Sequence, residues 1–152
     1  MGLGTVAERV VTYFRPRLPT LAHAVTLTLA SPGAGPTATG DPVLIEWALE
    51  VVVKNAIDAL SGRGGHIDVE VQGGGTDRAG RFSVRDDGPG VAADMQRQLF
   101  DPGVSSKTGG WGIGLALARR IVEQQHGGRV SFHPGEQGRG SVFVLEFPLT
   151  AA

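Results

Sequence analysis

Apolar residues recur along this chain at two spacings, every three to four residues in some stretches and every second residue in others, which separates helices from strands. Residues 5–14 have the helical spacing, with Thr5 placed to cap the first turn and Glu8 to complete a capping box. Pro16 and Pro19 lie beyond the end. Residues 24–30, AVTLTLA, alternate as a strand does and run into the loop-forming SPGAGPTATG. Asp41 then stands at a cap position with Pro42 first in the next helix. The stretch behind it, VLIEWALEVVVKNAIDAL, is apolar around most of its circumference, which predicts a largely buried helix stopped by Gly62, Gly64 and Gly65. HIDVEVQ (66–72) and RFSVRD (81–86) alternate like paired strands joined by the turn-rich GGGTDRAG. Residues 94–100 read as a short helix and 101–112 as a long polar loop. Residues 113–125 form a second strong helix closed by His126 and Gly127, and 129–133 and 140–148 are the last two strands. Helices and strands mix without strict βαβ alternation, which predicts an α+β fold, a two-layer sandwich with helices on one face of a mixed, mostly antiparallel sheet.

Length and composition narrow the picture. At 152 residues the chain is one domain, with residues 1–40 as lead-in helix and first strand. Hydrophobic residues at 41% and charged residues at 19% exclude a disordered chain, and 14 basic against 15 acidic residues give no charge excess for nucleic acid or an anionic membrane. There is no cysteine, hence no disulfide framework or thiol nucleophile, which fits a reducing, cytoplasmic setting. No apolar run approaches the roughly 20 residues that a bilayer span needs, so no membrane contact is expected. Glycine is the outlier, its 24 residues being about twice average usage.

Those glycines fall in candidate chemistry. Asn55 sits among apolar neighbours on its helix, where an unpaired amide costs about 1–3 kcal/mol, so a partner is expected. Its carbonyl oxygen is a hard donor suited to Mg²⁺, and a nearby backbone group would satisfy it equally. Glu46, Glu50, Lys54 and Asp58 form a row spaced by four, read mainly as a solvated face with a Glu50–Lys54 ion pair. DDGPG, residues 86–90, is by itself an acid-rich turn; an ionised Asp there could also accept a hydrogen bond from an exocyclic amine such as that of adenine. KTGGWGIGL, residues 107–115, opens a helix with glycines that let a backbone approach a ligand, an arrangement that cradles phosphate. It is neither a P-loop nor a dinucleotide fingerprint. Lys107, one of only two lysines, stands beside it, able to neutralise a terminal phosphate or to be a plain surface lysine.

Together and in this order the motifs resemble the ATP-binding catalytic domain of bacterial sensor histidine kinases, in the superfamily that includes type II topoisomerase, heat-shock protein 90 and mismatch-repair ATPases. The resemblance spans residues 41–149. VVVKNAIDAL resembles the N box, DDGPG the first glycine box, LFDPGVSSK the F box and the start of a lid, GWGIGLALARRIVEQQHGG the second glycine box with its helix, and GRGSVFVLEFP the last box and strand. It implies a Bergerat-type ATP-binding fold, with Asn55 as magnesium ligand, Asn55 and Lys107 as the catalytic pair, and Asp86 as adenine reader with Ser141 nearby. The implied nucleotide contacts are completed by Asp58, Gly88, Gly90, Val91, Gly110, Trp111, Gly112, Ile113, Gly114 and Leu115. The implied cofactors are ATP and Mg²⁺; the implied partners are a histidine-bearing dimerisation domain of the same kinase and a response regulator. One departure stands out: Val51 occupies the position one turn before Asn55, where the family usually has a polar residue and where the hydrolysing relatives carry the Glu that activates water. A nucleotide-binding regulatory module without catalysis and a slow ATPase are the alternatives. None of His23, His66, His126 and His133 is followed by an acidic residue as the family's phosphoacceptor is, so the chain is expected to be a fragment of a larger kinase.

Overall fold

The computed structural model describes residues 2–18, 24–30, 35–74, 77–91, 96, 100, 111–135 and 140–149. Helix α1 spans Leu3–Phe14 and passes into a short 3₁₀ turn, Arg15–Arg17. It begins two residues before Thr5, with Gly2 at the cap and no side-chain cap bond, so the expected Thr5–Glu8 capping box is not formed. Tertiary packing overrides the local signal here: Leu3 is fully buried and its N–H donates to Pro36 O at 2.8 Å. Strand β1 is Val25–Ala30, starting after Ala24, whose φ of +63° takes it out of the strand.

Helix α2, Pro42–Leu60, starts as its sequence predicts, with the Asp41 carboxylate accepting from Val43 N–H at 2.9 Å and Pro42 in the first turn. Strands β2 (Gly65–Gly74) and β3 (Asp77–Asp86) run further into GGGTDRAG than its turn chemistry suggests, because Ala79 and Gly80 at the start of β3 find ladder partners in the last strand. Helix α3 is Trp111–Arg119, continued by a π-helical turn Arg120–Gln125 that ends at His126. Trp111 and Gly112 therefore belong to the helix rather than to the preceding loop. Strands β4 (Arg129–Pro134) and β5 (Ser141–Pro148) complete the sheet. The expected 94–100 helix lies outside the described residues apart from Gln96 and Phe100.

The sheet order is β1-β2-β3-β5-β4, with β1 parallel to β2 across the α2 connection and every other pair antiparallel. Alternation puts Ile67, Val69, Phe82, Val84, Phe143, Leu145 and Phe147 on one face. Against them pack Leu3, Val6 and Val10 of α1, Leu49, Val52, Ile57 and Leu60 of α2, and Leu115 and Val122 of α3, which makes the expected two-layer α+β sandwich. The other sheet face carries Thr28, Asp68, Arg85 and His133, and it bears no described helix. No described helix is long and apolar enough to cross a membrane.

Candidate functional site

The site is built where α2, the end of β3, the start of β5 and α3 converge. Asn55 lies in the fourth turn of α2 with 8% of its surface exposed, and its side-chain Oδ1 is buried without a hydrogen-bond partner among the described residues. No described backbone group takes up the role of partner that the sequence left open. A buried acceptor that no protein group satisfies costs about 1–3 kcal/mol, and a hard cation is what such an oxygen suits. No group of three His, Asp or Glu side chains that could cage a metal is found among the described residues, so a cation at Asn55 would take its other ligands from water and phosphate.

Asp86 ends β3 in register between Ile67 of β2 and Ser141 of β5, on the same face as buried Val84 and Phe82. Only 4% of it is exposed, and its Oδ1 accepts the Gly88 N–H at 2.9 Å, which closes the DDG turn. Asp87 faces elsewhere: its Oδ1 accepts the His66 N–H at 2.9 Å and pins the start of β2. The two adjacent carboxylates are thus divided between the interior and the strand edge, and Asp86 is the inward-facing one. A Cβ at Gly88 would lie 2.9 Å from Asp86 Oδ1 and 3.2 Å from Leu60 Cδ2, so a side chain there would displace the Asp86 carboxylate. Val91 packs partly buried against the core after this turn, and Gly90 within it has a left-handed φ of +80°.

Gly140, expected at the start of the last strand, belongs to the same construction. Its N–H donates to Gly88 O at 2.8 Å, its φ is +77°, and a Cβ would come within 2.3 Å of Asp86 O. The β5 turn is therefore locked onto the Asp86 turn, and buried Ser141 follows it directly. Across the site, Gly114 of α3 lies against α2, where an added Cβ would stand 3.2 Å from Val51 Cγ1. Leu115 is fully buried as a core residue supporting that helix start. Lys107 and Gly110 lie outside the described residues, and of Trp111, Gly112 and Ile113 only the helical backbone is described.

Asp58 is held by Lys54 at 2.8 Å on the partly exposed side of α2. Lys54 thus pairs with Asp58 rather than with Glu50 as its sequence spacing suggested. Glu50 turns to α1 and lines a small groove with Thr5, Glu8, Arg9 and Glu46. Burial, then the neighbouring Glu46 charge, raises the Glu50 carboxyl above its usual value. Glu50 faces away from Asn55, so it does not supply the polar group missing at Val51.

One tertiary link escaped the sequence. His126 Nε2 accepts the Asp41 N–H at 3.1 Å while Nδ1 sits 2.7 Å from Ile121 O, which assigns the Nδ1–H tautomer and ties the end of α3 to the cap of α2. A groove of about 1140 Å³ also touches the Asp86–Pro89 turn, but His66, Asp68, Arg85 and His133 line it from the open sheet face, so it is a surface distinct from the one holding Asn55.

A mixed sheet faced on one side by helices, with a glycine turn after β3 and a second helix packed against α2, is the architecture of a known class of ATPase domain. The chain belongs to the histidine kinase-, DNA gyrase B- and HSP90-like ATPase family, whose model matches residues 40–151. It is 37% identical over 135 residues to the sensory histidine kinase/phosphatase NtrB of Escherichia coli O157:H7, covering 84% of this chain but only 38% of that protein. Among solved structures it resembles the catalytic domain of histidine kinase ThkA, with a TM-score of 0.84, 27% identity and coverage of 99% of this chain and 94% of that one. It also resembles full-length ShkA in complex with AMPPNP, with a TM-score of 0.80, 28% identity, and coverage of 100% of this chain and 31% of that one.

Proposed function

We propose that this domain binds ATP with Mg²⁺ and presents the γ-phosphoryl group to a histidine on a separate dimerisation segment of the same kinase, from which a response regulator would then receive it. The observation that carries the reading is the buried Oδ1 of Asn55, which has no partner among the described residues and is a ready ligand for a cation that brings phosphates with it. Bound Mg²⁺ would supply neutralisation of phosphate charge. The chain's own residues do the rest by positioning. Asp86 accepts a hydrogen bond from the adenine amine, Ser141 lies across the β3–β5 ladder from it, and the turn Gly88–Gly140 holds both in place. The glycines from 110 to 114 bring backbone N–H groups at the start of α3 toward the phosphates, and Lys107 meets the terminal charge. The AMPPNP complex of ShkA supports an adenine triphosphate as ligand. A cytoplasmic location for the domain belongs to the same reading.

Val51 favours a second possibility, a nucleotide-binding module without chemistry, because the side chain one turn from Asn55 can neither take a proton nor orient water. Incubating the parent protein with γ-labelled ATP and testing for acid-labile, base-stable phosphate separates the two. Label on histidine in wild type and none in Asn55→Ala supports the kinase reading; no label in wild type, with nucleotide binding intact, replaces it with the regulatory module.

A further inference from the structure

Val43, Trp47, Val51 and Asn55 follow one another every fourth residue along α2. Such a row drifts by only about 40° per step, so the four side chains form one continuous ridge. Their exposure falls along it, from 72% at Val43 and 45% at Trp47, through partly buried Val51, to 8% at Asn55. The ridge is apolar until its last member, which is the proposed cation ligand. Neither neighbouring helix covers its outer end. α1 meets α2 on the Glu46 side, where Arg9 pairs with Glu46 at 2.6 Å, and the closest approach of Gly114 on α3 is to Val51.

Single exposed apolar residues are ordinary, but a half-exposed Trp and a Val in one row leading into a phosphate site are not scattered surface. In-line transfer requires the acceptor nitrogen to reach the phosphate held at the Asn55 end, and a segment packed along this row would bring it there. We infer that the Val43–Trp47–Val51 ridge is the docking face for the histidine-bearing segment, packed as a helix whose apolar side chains seat beside Trp47. This rests on the kinase reading above. In NtrB the part similar to this chain is 38% of the length, which leaves ample chain for such a segment elsewhere in a parent of that size. Val51 then has a positive role: an apolar side chain there continues the contact surface up to Asn55.

The test uses the parent protein with Trp47→Glu, Val43→Glu and, as an exposed aromatic control on α1, Tyr13→Glu. ATP affinity should stay within about twofold in all three, while phosphotransfer to histidine falls by about tenfold or more in the two α2 variants only, as for loss of an interface anchor. Transfer at the wild-type rate in Trp47→Glu, or an equal loss in Tyr13→Glu, overturns the assignment. A photocrosslinking residue placed at position 47 gives an answer independent of catalysis. Crosslinks to the histidine-bearing segment support docking, and crosslinks solely to other regions or to a second copy of this domain refute it. If the wild-type parent forms no phosphohistidine yet position 47 still crosslinks to that segment, the kinase reading fails while the docking face stands.

Discussion

Replacing Asn55 with alanine separates function from stability, because the two effects should have opposite signs. In the absence of nucleotide the buried Oδ1 has no partner among the described residues, a cost of about 1–3 kcal/mol that the alanine does not carry. Alanine also gains about 0.6 kcal/mol of helix propensity over asparagine in the middle of α2. Against this stands the lost packing of a small side chain, about 1 kcal/mol per methyl-sized void. The balance is a gain of about 1 kcal/mol, which for a domain of this size is about 2–4 °C in Tm. Thermal unfolding in EDTA should therefore show Asn55→Ala melting slightly above wild type. Mg²⁺ with ATP should raise the wild-type midpoint well beyond what ATP in EDTA does, and this magnesium increment should vanish in the variant. A variant that melts several degrees lower in EDTA and keeps the full increment would show that the amide is structural and that the cation is held elsewhere.

Three further outcomes follow from described geometry. Asp86→Ala should weaken ATP binding and erase a preference over GTP of at least about tenfold, since guanine presents an acceptor to the carboxylate, whereas Asp87→Ala should leave the preference intact; competition against a fluorescent ADP measures both, and the reverse result shifts the motif by one residue. This domain without an acceptor segment should release phosphate from ATP far more slowly than about 1 per second, for want of a base at Val51, and a phosphate-release assay showing faster turnover would contradict that. Burial pushes the Glu123 carboxyl up, but the Val130 N–H bond at 3.1 Å and the charges of Arg119 and Arg129 outweigh it and hold the group below its usual value. Its folded pKa being depressed, its contribution is present above the unfolded pKa and is lost as pH falls through the folded one, so denaturant titrations of wild type and Glu123→Gln should converge toward acid pH and differ most near neutrality.

Features set by neighbours in sequence were legible before the structure. The Asp41–Pro42 start of α2 and the alternation of β2 and β3 depend on residues within a few positions, and so does the division between Asp86 and Asp87, which follows from period two once Val84 is taken as buried. What escaped depends on partners far along the chain. Thr5 and Glu8 make a plausible cap, yet Leu3 is drawn into the helix by Pro36 and the core. His126 looked like a mere helix stop because its partner Asp41 is 85 residues away. Gly140 stood in the GRGSVFVLEFP box, but the contact that excludes a side chain there was not legible, since its atoms belong to Asp86 and Asp87. The expected Glu50–Lys54 pair is not formed: Asp58 is also four residues from Lys54 and takes it, while Glu50 turns to α1.

Helix α1 sets a difference between the length that carries the chemistry and the length that folds. The family match starts at residue 40, and every residue proposed to touch nucleotide lies beyond it. Yet Leu3, Val6, Ala7, Val10, Val11 and Phe14 are buried in the same core as α2, and bridges join Gly2 to Thr37 and Ala38 to Leu149. A fragment cut at the boundary of the match would keep every ligand group and strip the floor from beneath the helix that bears Asn55. Its failure to bind ATP would then report a collapsed folded population rather than a missing contact, and a binding assay alone could not tell the two apart.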